Sequence, residues 1–213
     1  MSEIKPITFY SHARGPNPKK IAIVFEELKI PHETIVIDDP KEESFTKINP
    51  NGRLPAIKDP NTGITLWESG AILEYLEETY DKEFKLTFSS FPEKWHLKQY
   101  LHFQMSGQGP YFGQCAWFHM FHPEDVPSAK ERYIEQSLRV FGVLNTILDG
   151  KTYLVGEKCT YVDIAFYPWN DLISLVIKDL WTKYEVEEKY PNFAAWHKRI
   201  RERPSVKKIY GLA

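Results

Sequence analysis

The chain has 213 residues, 42% of them hydrophobic and 26% charged, enough for one large domain or two small ones and against wholesale disorder. Lys and Arg total 27 against 29 Asp and Glu, a net charge of −2, which removes the diffuse electrostatic drive behind nucleic-acid binding. No apolar run approaches the roughly 20 residues that span a bilayer, and the N-terminal residues lack a secretory h-region, so a soluble cytoplasmic protein is expected.

Strand and helix signals alternate over the first eighty residues. Ile7–Tyr10 is a short β-rich run, and Ser11-His-Ala-Arg-Gly-Pro-Asn17 follows it as a turn. From Pro18 to Leu28 the apolar residues Ile21, Val24, Phe25 and Leu28 recur at helical spacing. Asn17, directly before Pro18, reads as the N-cap of that helix. The β-branched run Thr34–Ile37 predicts a second strand. A short helical piece spans Glu42 to Lys47, stopped by Asn49-Pro-Asn-Gly52. Pro55–Lys58 and Ile64–Trp67, joined by the turn Asp59-Pro-Asn-Thr-Gly63, form a hairpin. The next helix starts near Glu68, with Ile72, Leu73 and Leu76 on one face. A βαβ unit joined to a hairpin predicts a small mixed sheet with helices packed on it.

Residues 82–92 break the pattern and read as a linker. Beyond Pro92 long helical patterns take over: Trp95 to Phe121, disturbed near Gly107, Gly109 and Pro110; Pro127 to Leu148; and two more from Tyr161 and Asn192. The expected architecture is an α/β domain over residues 1–81 and an all-α domain over 93–213. Thr160-Tyr-Val-Asp163 is a capping-box pattern, with Cys159 and Ile164 at the flanking staple positions. That gives Cys159 a packing role and disfavours a reactive thiol, because an apolar site raises a thiol's pKa.

Cys115 and Cys159 are far apart and form no C-x-x-C, which excludes a disulfide framework, a dithiol redox motif and a four-thiolate zinc site. His119 and His122 have no carboxylate or thiolate at matching spacing and read as polar residues near a helix end, so no metal is expected.

Asn49-Pro-Asn-Gly-Arg-Leu-Pro-Ala-Ile57 and Trp67-Glu-Ser-Gly-Ala-Ile72 resemble the two signature blocks of the glutathione transferase superfamily, and Leu154–Ala165 resembles its capped C-terminal helix. Within that superfamily, Gly15-Pro-Asn17, Gln104–Pro110 and Glu131-Arg-Tyr133 are most similar to the nu class and the fungal nitrogen-regulator (prion-type) branch. The likeness covers essentially the whole chain. It implies a thioredoxin-like N-terminal domain that binds glutathione, and a helical domain that supplies a second-substrate pocket.

Residue by residue, the resemblance assigns glutathione to Asn17, Arg53, Leu54, Pro55, Glu68, Ser69 and Arg132. Ser69, at a helix start, would receive the γ-glutamyl carboxylate and Glu68 the ammonium; both residues also suit a simple cap. The family places a cis peptide before Pro55, presenting the Leu54 backbone to the cysteinyl part. Arg53 would approach the glycyl carboxylate, with Lys41 a weaker candidate. A trans edge-strand proline and a solvated Arg53 are the alternatives. Asn17 is the implied catalytic residue, donating to the glutathione thiolate. Arg14, which stands where related classes carry serine, turns inward or lies in solvent, and Ser11 is a second possible donor. Tyr10 is expected to pack on the sheet. Tyr111 and Phe112 line the second-substrate pocket or belong to the core, and Arg132 reaches glutathione or pairs with Glu131 or Glu135.

The function implied is a homodimeric glutathione transferase, or a glutathione-dependent disulfide reductase that uses bound glutathione as its thiol. Its partners would be glutathione and an electrophilic or disulfide small molecule, with no metal, nucleic acid or membrane. A noncatalytic regulator or scaffold of the same fold is the other reading.

Overall fold

The computed structural model describes residues 4–212, and they divide into two compact units. Unit 1 comprises the residues through Thr87 together with those from Pro204 onward, and unit 2 runs from Phe88 to Arg203.

Unit 1 is built on a four-stranded mixed sheet in the order β2-β1-β3-β4. Its strands are β1 (Ile7–Ser11), β2 (His32–Val36), β3 (Ala56–Asp59) and β4 (Ile64–Trp67). β1 and β2 run parallel, joined by α1 (Pro16–Leu28); β1–β3 and β3–β4 are antiparallel. α2 (Glu43–Thr46) precedes the hairpin and α3 (Ser69–Tyr80) follows it. This is the thioredoxin-like arrangement. Alternation along β1 supplies both faces of the sheet. Phe9 meets Phe25 of α1 edge-on, at 5.4 Å between ring centroids, over a core that includes Ile21, Val24, Ile57, Ile72 and Leu76. On the other face Tyr10 packs against Phe45 of α2 and Ala56, with Ile48, Leu54 and Trp67 around them. Tyr10 is therefore a packing residue.

Two sequence expectations are corrected here. α1 begins at Pro16 with Gly15 in the extended N-cap position, so Asn17 lies inside the first turn and does not cap. Both Pro16 and Pro18 fit because first-turn amides have no intrahelical acceptor to lose. The C-terminal helix α11 (Pro204–Tyr210), expected in the helical domain, belongs to unit 1. Its Ser205 hydroxyl meets the buried Glu27 carboxylate at 2.5 Å, Lys208 pairs with Glu26 at 2.7 Å, and Lys19 lies over the Tyr210 ring.

Unit 2 contains α4 (Glu93–Phe103), a π-helical turn (Gln104–Gln108), α5 (Gly109–Met120), α6 (Pro127–Ile147), α7 (Tyr161–Val176), the short α8 (Leu180–Lys183) and α9 (Val186–Lys189), and α10 (Pro191–Arg201). The interruption expected near Gly107–Pro110 is the π turn, which lets Pro110 open the next helix without losing an α-helical bond. Fully buried Gln104 and Gln108 bond each other there, and Gln108 also donates to Asn170 of α7 at 2.7 Å.

The capping box of α7 is present, and Asp163 is its centre. One carboxylate oxygen accepts from the Thr160 amide (2.8 Å) and hydroxyl (2.7 Å); the other accepts from the Leu154 amide (3.0 Å) and the Trp196 indole (2.8 Å). Burial pushes this carboxyl up in pKa, against the pull of those bonds. The residue thus ties the loop before α7 to α10. Asp163→Ala strands buried donors on three segments and should destabilise the protein by roughly 3–5 kcal/mol, read from denaturant unfolding.

Candidate active site

Ala56 sits at a junction of the sheet. It pairs with Tyr10 of β1 and with Trp67 of β4. Because both pairings are antiparallel, the C-terminal ends of β1 and β4 meet the N-terminal end of β3. Three chain segments leave the sheet there: Ser11–Asn17 after β1, Arg53–Pro55 before β3, and Glu68–Ser69 after β4. Most of the residues singled out from the sequence in unit 1 are thereby gathered at one end of one sheet.

The middle segment is held by its own side chains. Asn49 is 1% exposed; its amide donates to the Arg53 carbonyl (2.6 Å), and its oxygen accepts from the Asn51 amide (3.0 Å). Gly52 has φ +58°, and a Cβ there would lie 2.8 Å from the Pro40 carbonyl and 3.0 Å from the Lys41 ammonium. Only glycine fits that close approach. Lys41 reaches across to the Asn51 carbonyl at 3.0 Å, so it braces this loop. Arg53 is exposed, and the Leu54–Pro55 peptide is cis. Leu54 lies just outside the ladder, which begins at Ala56, so its backbone is not consumed by a strand partner.

The third segment turns sharply. Glu68 is exposed with φ +72°, a region that a non-glycine residue adopts at a cost of about 1–3 kcal/mol. That turn starts α3 at Ser69, which is 2% exposed. The Ser69 hydroxyl accepts from the ammonium of Lys20 at 3.3 Å. Lys20 is completely buried; burial lowers its pKa to about 7, while the negative charge of Glu68 pulls the other way. Lys20 is not among the residues singled out from the sequence. The signal was present: Lys20, Val24 and Glu27 lie on one helical stripe, and all three are buried.

After β1, the Ser11 carbonyl accepts from the Ile37 amide, and the loop closes through Gly15 to His12. Arg14 is exposed, its amide donating to the His12 ring (3.2 Å). Asn17 is half-buried in the first turn of α1.

The remaining residues singled out from the sequence belong to unit 2. Phe112 is fully buried and edge-on to Phe141, which makes it a core residue, the second of its two expected roles, and takes it out of the second-substrate pocket. Tyr111 is half-buried under the Arg139 guanidinium, 5.6 Å from the ring centroid, and Arg132 is exposed on α6. Cys115 and Cys159 are both buried, and burial drives the Cys115 thiol up to about 11. His119 is engaged by the Cys115 carbonyl at 2.7 Å. Among the described residues no group of three or more His, Cys, Asp or Glu side chains converges to hold a metal ion.

A thioredoxin-like unit followed by a helical unit is the arrangement of the glutathione transferase class of protein. Comparison with known proteins makes the family explicit. Residues 15–79 match the family described as glutathione S-transferase, N-terminal domain, and residues 110–204 match glutathione S-transferase, C-terminal domain. The chain belongs to the glutathione S-transferase family. It is 46% identical to the glutathione S-transferase-like protein tpcF of Aspergillus fumigatus, over 98% of this chain and 96% of that one. It is 32% identical to Protein URE2 of Candida albicans, covering 94% of this chain and 68% of the relative. Among solved structures, the glutathione transferase URE2P6 of Phanerochaete chrysosporium, in complex with oxidized glutathione, superposes with TM-score 0.91 at 43% identity, covering 99% of this chain and 97% of that one. The relatives are thus fungal transferase-like proteins and Ure2-type proteins.

Asn49, buried beneath the loop, supports the Arg53–Pro55 segment. Asn49→Ala should cost about 1–3 kcal/mol, since the Arg53 carbonyl and Asn51 amide lose their partner. Thermal unfolding measures the loss.

Proposed function

We propose that the protein is a glutathione-dependent transferase of nu or Ure2-like type, acting as a cytoplasmic homodimer. The observation that carries the reading is the buried hydroxyl of Ser69 at the start of α3, backed by an ammonium and flanked by Glu68, in a chain 43% identical to a transferase crystallised with oxidized glutathione.

Glutathione presents a carboxylate at each end and an ammonium beside one of them. The γ-glutamyl carboxylate takes the Ser69 hydroxyl and the free amides of the first turn of α3, where the helix dipole favours an anion. Glu68 receives the ammonium. The Leu54 amide and carbonyl pair with the cysteinyl residue as an added strand would, and Arg53 receives the glycyl carboxylate. Arg14, exposed in the loop after β1, borders the second substrate.

The chemistry requires a thiolate, and a free thiol with pKa near 8.5 is mostly protonated at neutral pH. Asn17 donates its side-chain N–H to the sulfur, aided by the dipole of α1. The thiolate then forms a C–S bond to an electrophilic carbon as the leaving group departs with its electron pair. With a disulfide substrate it forms a mixed disulfide and releases one thiolate; a second glutathione displaces the other and leaves oxidized glutathione. Two related transferases support both outcomes: URE2P5 of Phanerochaete chrysosporium was cocrystallised with 1-(S-glutathionyl)-2,4-dinitrobenzene, and URE2P6 was solved with oxidized glutathione.

A regulatory reading has one observation in its favour. The nitrogen regulation fragment of the yeast prion protein Ure2p superposes on 98% of this chain with TM-score 0.86 at 32% identity. Turnover separates the two. Glutathione binding by calorimetry, with conjugation of 1-chloro-2,4-dinitrobenzene and reduction of bis(2-hydroxyethyl) disulfide, is expected to be positive. Binding without turnover of any electrophile or disulfide would favour the regulator.

Ser69→Ala should weaken glutathione binding by about 1–3 kcal/mol in a correctly folded protein, because a carboxylate loses a charge-assisted partner. Unchanged affinity would remove Ser69 from the site. Asn17→Asp should lower turnover more than affinity, because a carboxylate repels the thiolate and cannot donate. Titration of the bound thiol checks it: a wild-type thiol pKa and rate in Asn17→Asp would make Asn17 structural.

A further inference from the structure

The two helices that lead away from the candidate site are fastened again at their far ends. β1 and β4 are each antiparallel to β3, so they run in the same direction, and α1 and α3 both start at the site end of the sheet. The helices pack on each other over thirteen and twelve residues. Each is roughly 18–20 Å long at a rise of about 1.5 Å per residue.

At the far end one carboxylate collects the chain. Glu27, in the last turn of α1 and 7% exposed, accepts the Ser205 hydroxyl of α11 on one oxygen at 2.5 Å; its other oxygen lies 3.4 Å from the Lys85 ammonium. That ammonium also donates to the Glu27 backbone carbonyl, at a helix end that favours a cation. Lys85 is set in place by Asp81, the residue that follows α3. The buried Asp81 carboxylate accepts from the Lys85 and Leu86 amides, both at 2.7 Å. The end of α1 is thus bonded to the end of α3 through one lysine.

We propose that this Glu27–Lys85–Asp81 bridge, braced by Ser205, sets the spacing of Asn17 and Ser69 at the opposite ends of the two helices, and that Glu27 and Lys85 are positioning residues for the glutathione thiolate. The inference rests on the reading of Asn17 as the sulfur donor and Ser69 as the γ-glutamyl site. It adds residues remote from the ligand that this reading does not contain.

The two helix starts are held unequally. α3 is joined to β4 by the single residue Glu68, so the sheet fixes where it begins. α1 is joined to β1 by the longer segment His12–Gly15. Between its ends α1 rests on the sheet through Ile21, Val24 and Phe25, and apolar packing is nondirectional. Hydrogen bonds are directional, and those at Glu27 fix how far α1 lies along its axis. A helix transmits a displacement as a rigid element, so a slide at Glu27 reaches Asn17 while Ser69 stays where the sheet puts it. The sulfur donor then parts from the carboxylate site of the same tripeptide, and a misplacement of about 1 Å can cost on the order of a hundredfold in rate. Loss of the donor raises the pKa of the bound thiol, because a hydrogen bond to the thiolate is what lowers it.

Variants of the full-length protein test this. Each is measured for S-methylglutathione affinity by calorimetry, for the pKa of bound glutathione by thiolate absorbance, and for kcat with 1-chloro-2,4-dinitrobenzene. Glu27→Gln removes the charge and keeps an oxygen for Ser205; Lys85→Met removes the ammonium of a half-exposed side chain. Both should raise the bound-thiol pKa by about 1 and lower kcat about tenfold, with S-methylglutathione affinity within about twofold of wild type. Lys85→Arg should restore wild-type values of all three. Ile200→Val, in the core of unit 2, should lower the melting temperature and leave thiol pKa and kcat unchanged.

A wild-type thiol pKa and kcat in folded Glu27→Gln and Lys85→Met would overturn the inference. So would affinity that falls in step with kcat, the same shift in Ile200→Val, or no rescue by Lys85→Arg, since each marks general loosening. If Glu27→Gln does not fold, Lys85→Met against Lys85→Arg decides alone. The glutathione reading fails separately: no binding of S-methylglutathione by wild type, or a wild-type thiol pKa in Asn17→Asp, would overturn that reading and the inference with it.

Discussion

The site hangs on the pairing of one small residue. Ala56 is completely buried and faces Tyr10 on one side and Trp67 on the other. Those two pairings decide that the loop after β1, the Arg53–Pro55 segment and the Glu68–Ser69 turn emerge side by side. A slip of one residue in β3 would move Ile57 from the face it shares with α1 and α3, and would carry Leu54 away from Ser69 at the same time. The hydrophobic core and the binding geometry are therefore specified together. The core face of β3 fixes the register, and the register places the backbone groups around the site. Asn49 and Gly52 then refine the approach of a segment that the sheet has already delivered.

The start of α3 collects features that oppose stability. Glu68 adopts a backbone conformation that most residues avoid, and Lys20 keeps an ammonium away from water. The sign of the second effect follows from linkage. The folded-state pKa of Lys20 lies below its unfolded value of 10.5, so between about 7 and that value the folded protein binds fewer protons. Its stability contribution rises with pH across that window, and below it the full penalty of burying the charge remains. A residue selected for stability alone would be apolar at this position, as Val24 is one turn later. Strain and buried charge concentrated at one helix start are the mark of a place where binding has been favoured over folding.

The architecture was legible where local signals agree with the fold. β-branched residues and the Asp59–Gly63 turn marked the hairpin, 3.6-residue spacing marked α1, α3, α6 and α7, and Thr160–Asp163 marked a cap that the structure contains. The errors have physical causes. Asn17 before a proline looks like a cap, but Pro16 already satisfies the first helical position, and only the backbone at Gly15 shows where the turn begins. α11 was assigned to the wrong unit because its partners, Glu26 and Glu27, lie about 180 residues earlier, and spacing within a helix says nothing about such pairing. Phe112 is preceded by Tyr111 in an aromatic run, and the run does not say which ring faces inward. Lys20 escaped because lysine on a helix normally reads as solvent-facing; its place on the stripe of Val24 outweighs its charge only once Ser69 is brought to it by the sheet.

Where the two cysteines lie constrains the chemistry further. The segment after β1, Ser11 to Asn17, contains no thiol, Cys115 and Cys159 are buried, and the Cys115 thiol is pushed up to about 11. Protein-based mixed disulfides need an accessible thiolate, so on the proposed function the reacting sulfur is that of bound glutathione. On that reading the protein's task is to hold the tripeptide by its ends and stabilise charge on its sulfur. The two ends are held differently. The glycyl end would meet Arg53, which is exposed, where screening weakens the pair. The γ-glutamyl end would meet the buried Ser69 hydroxyl, where a hydrogen bond is less screened by water. On the proposed function, affinity would therefore be set mainly at the γ-glutamyl end and reactivity at Asn17, so that the two could vary independently.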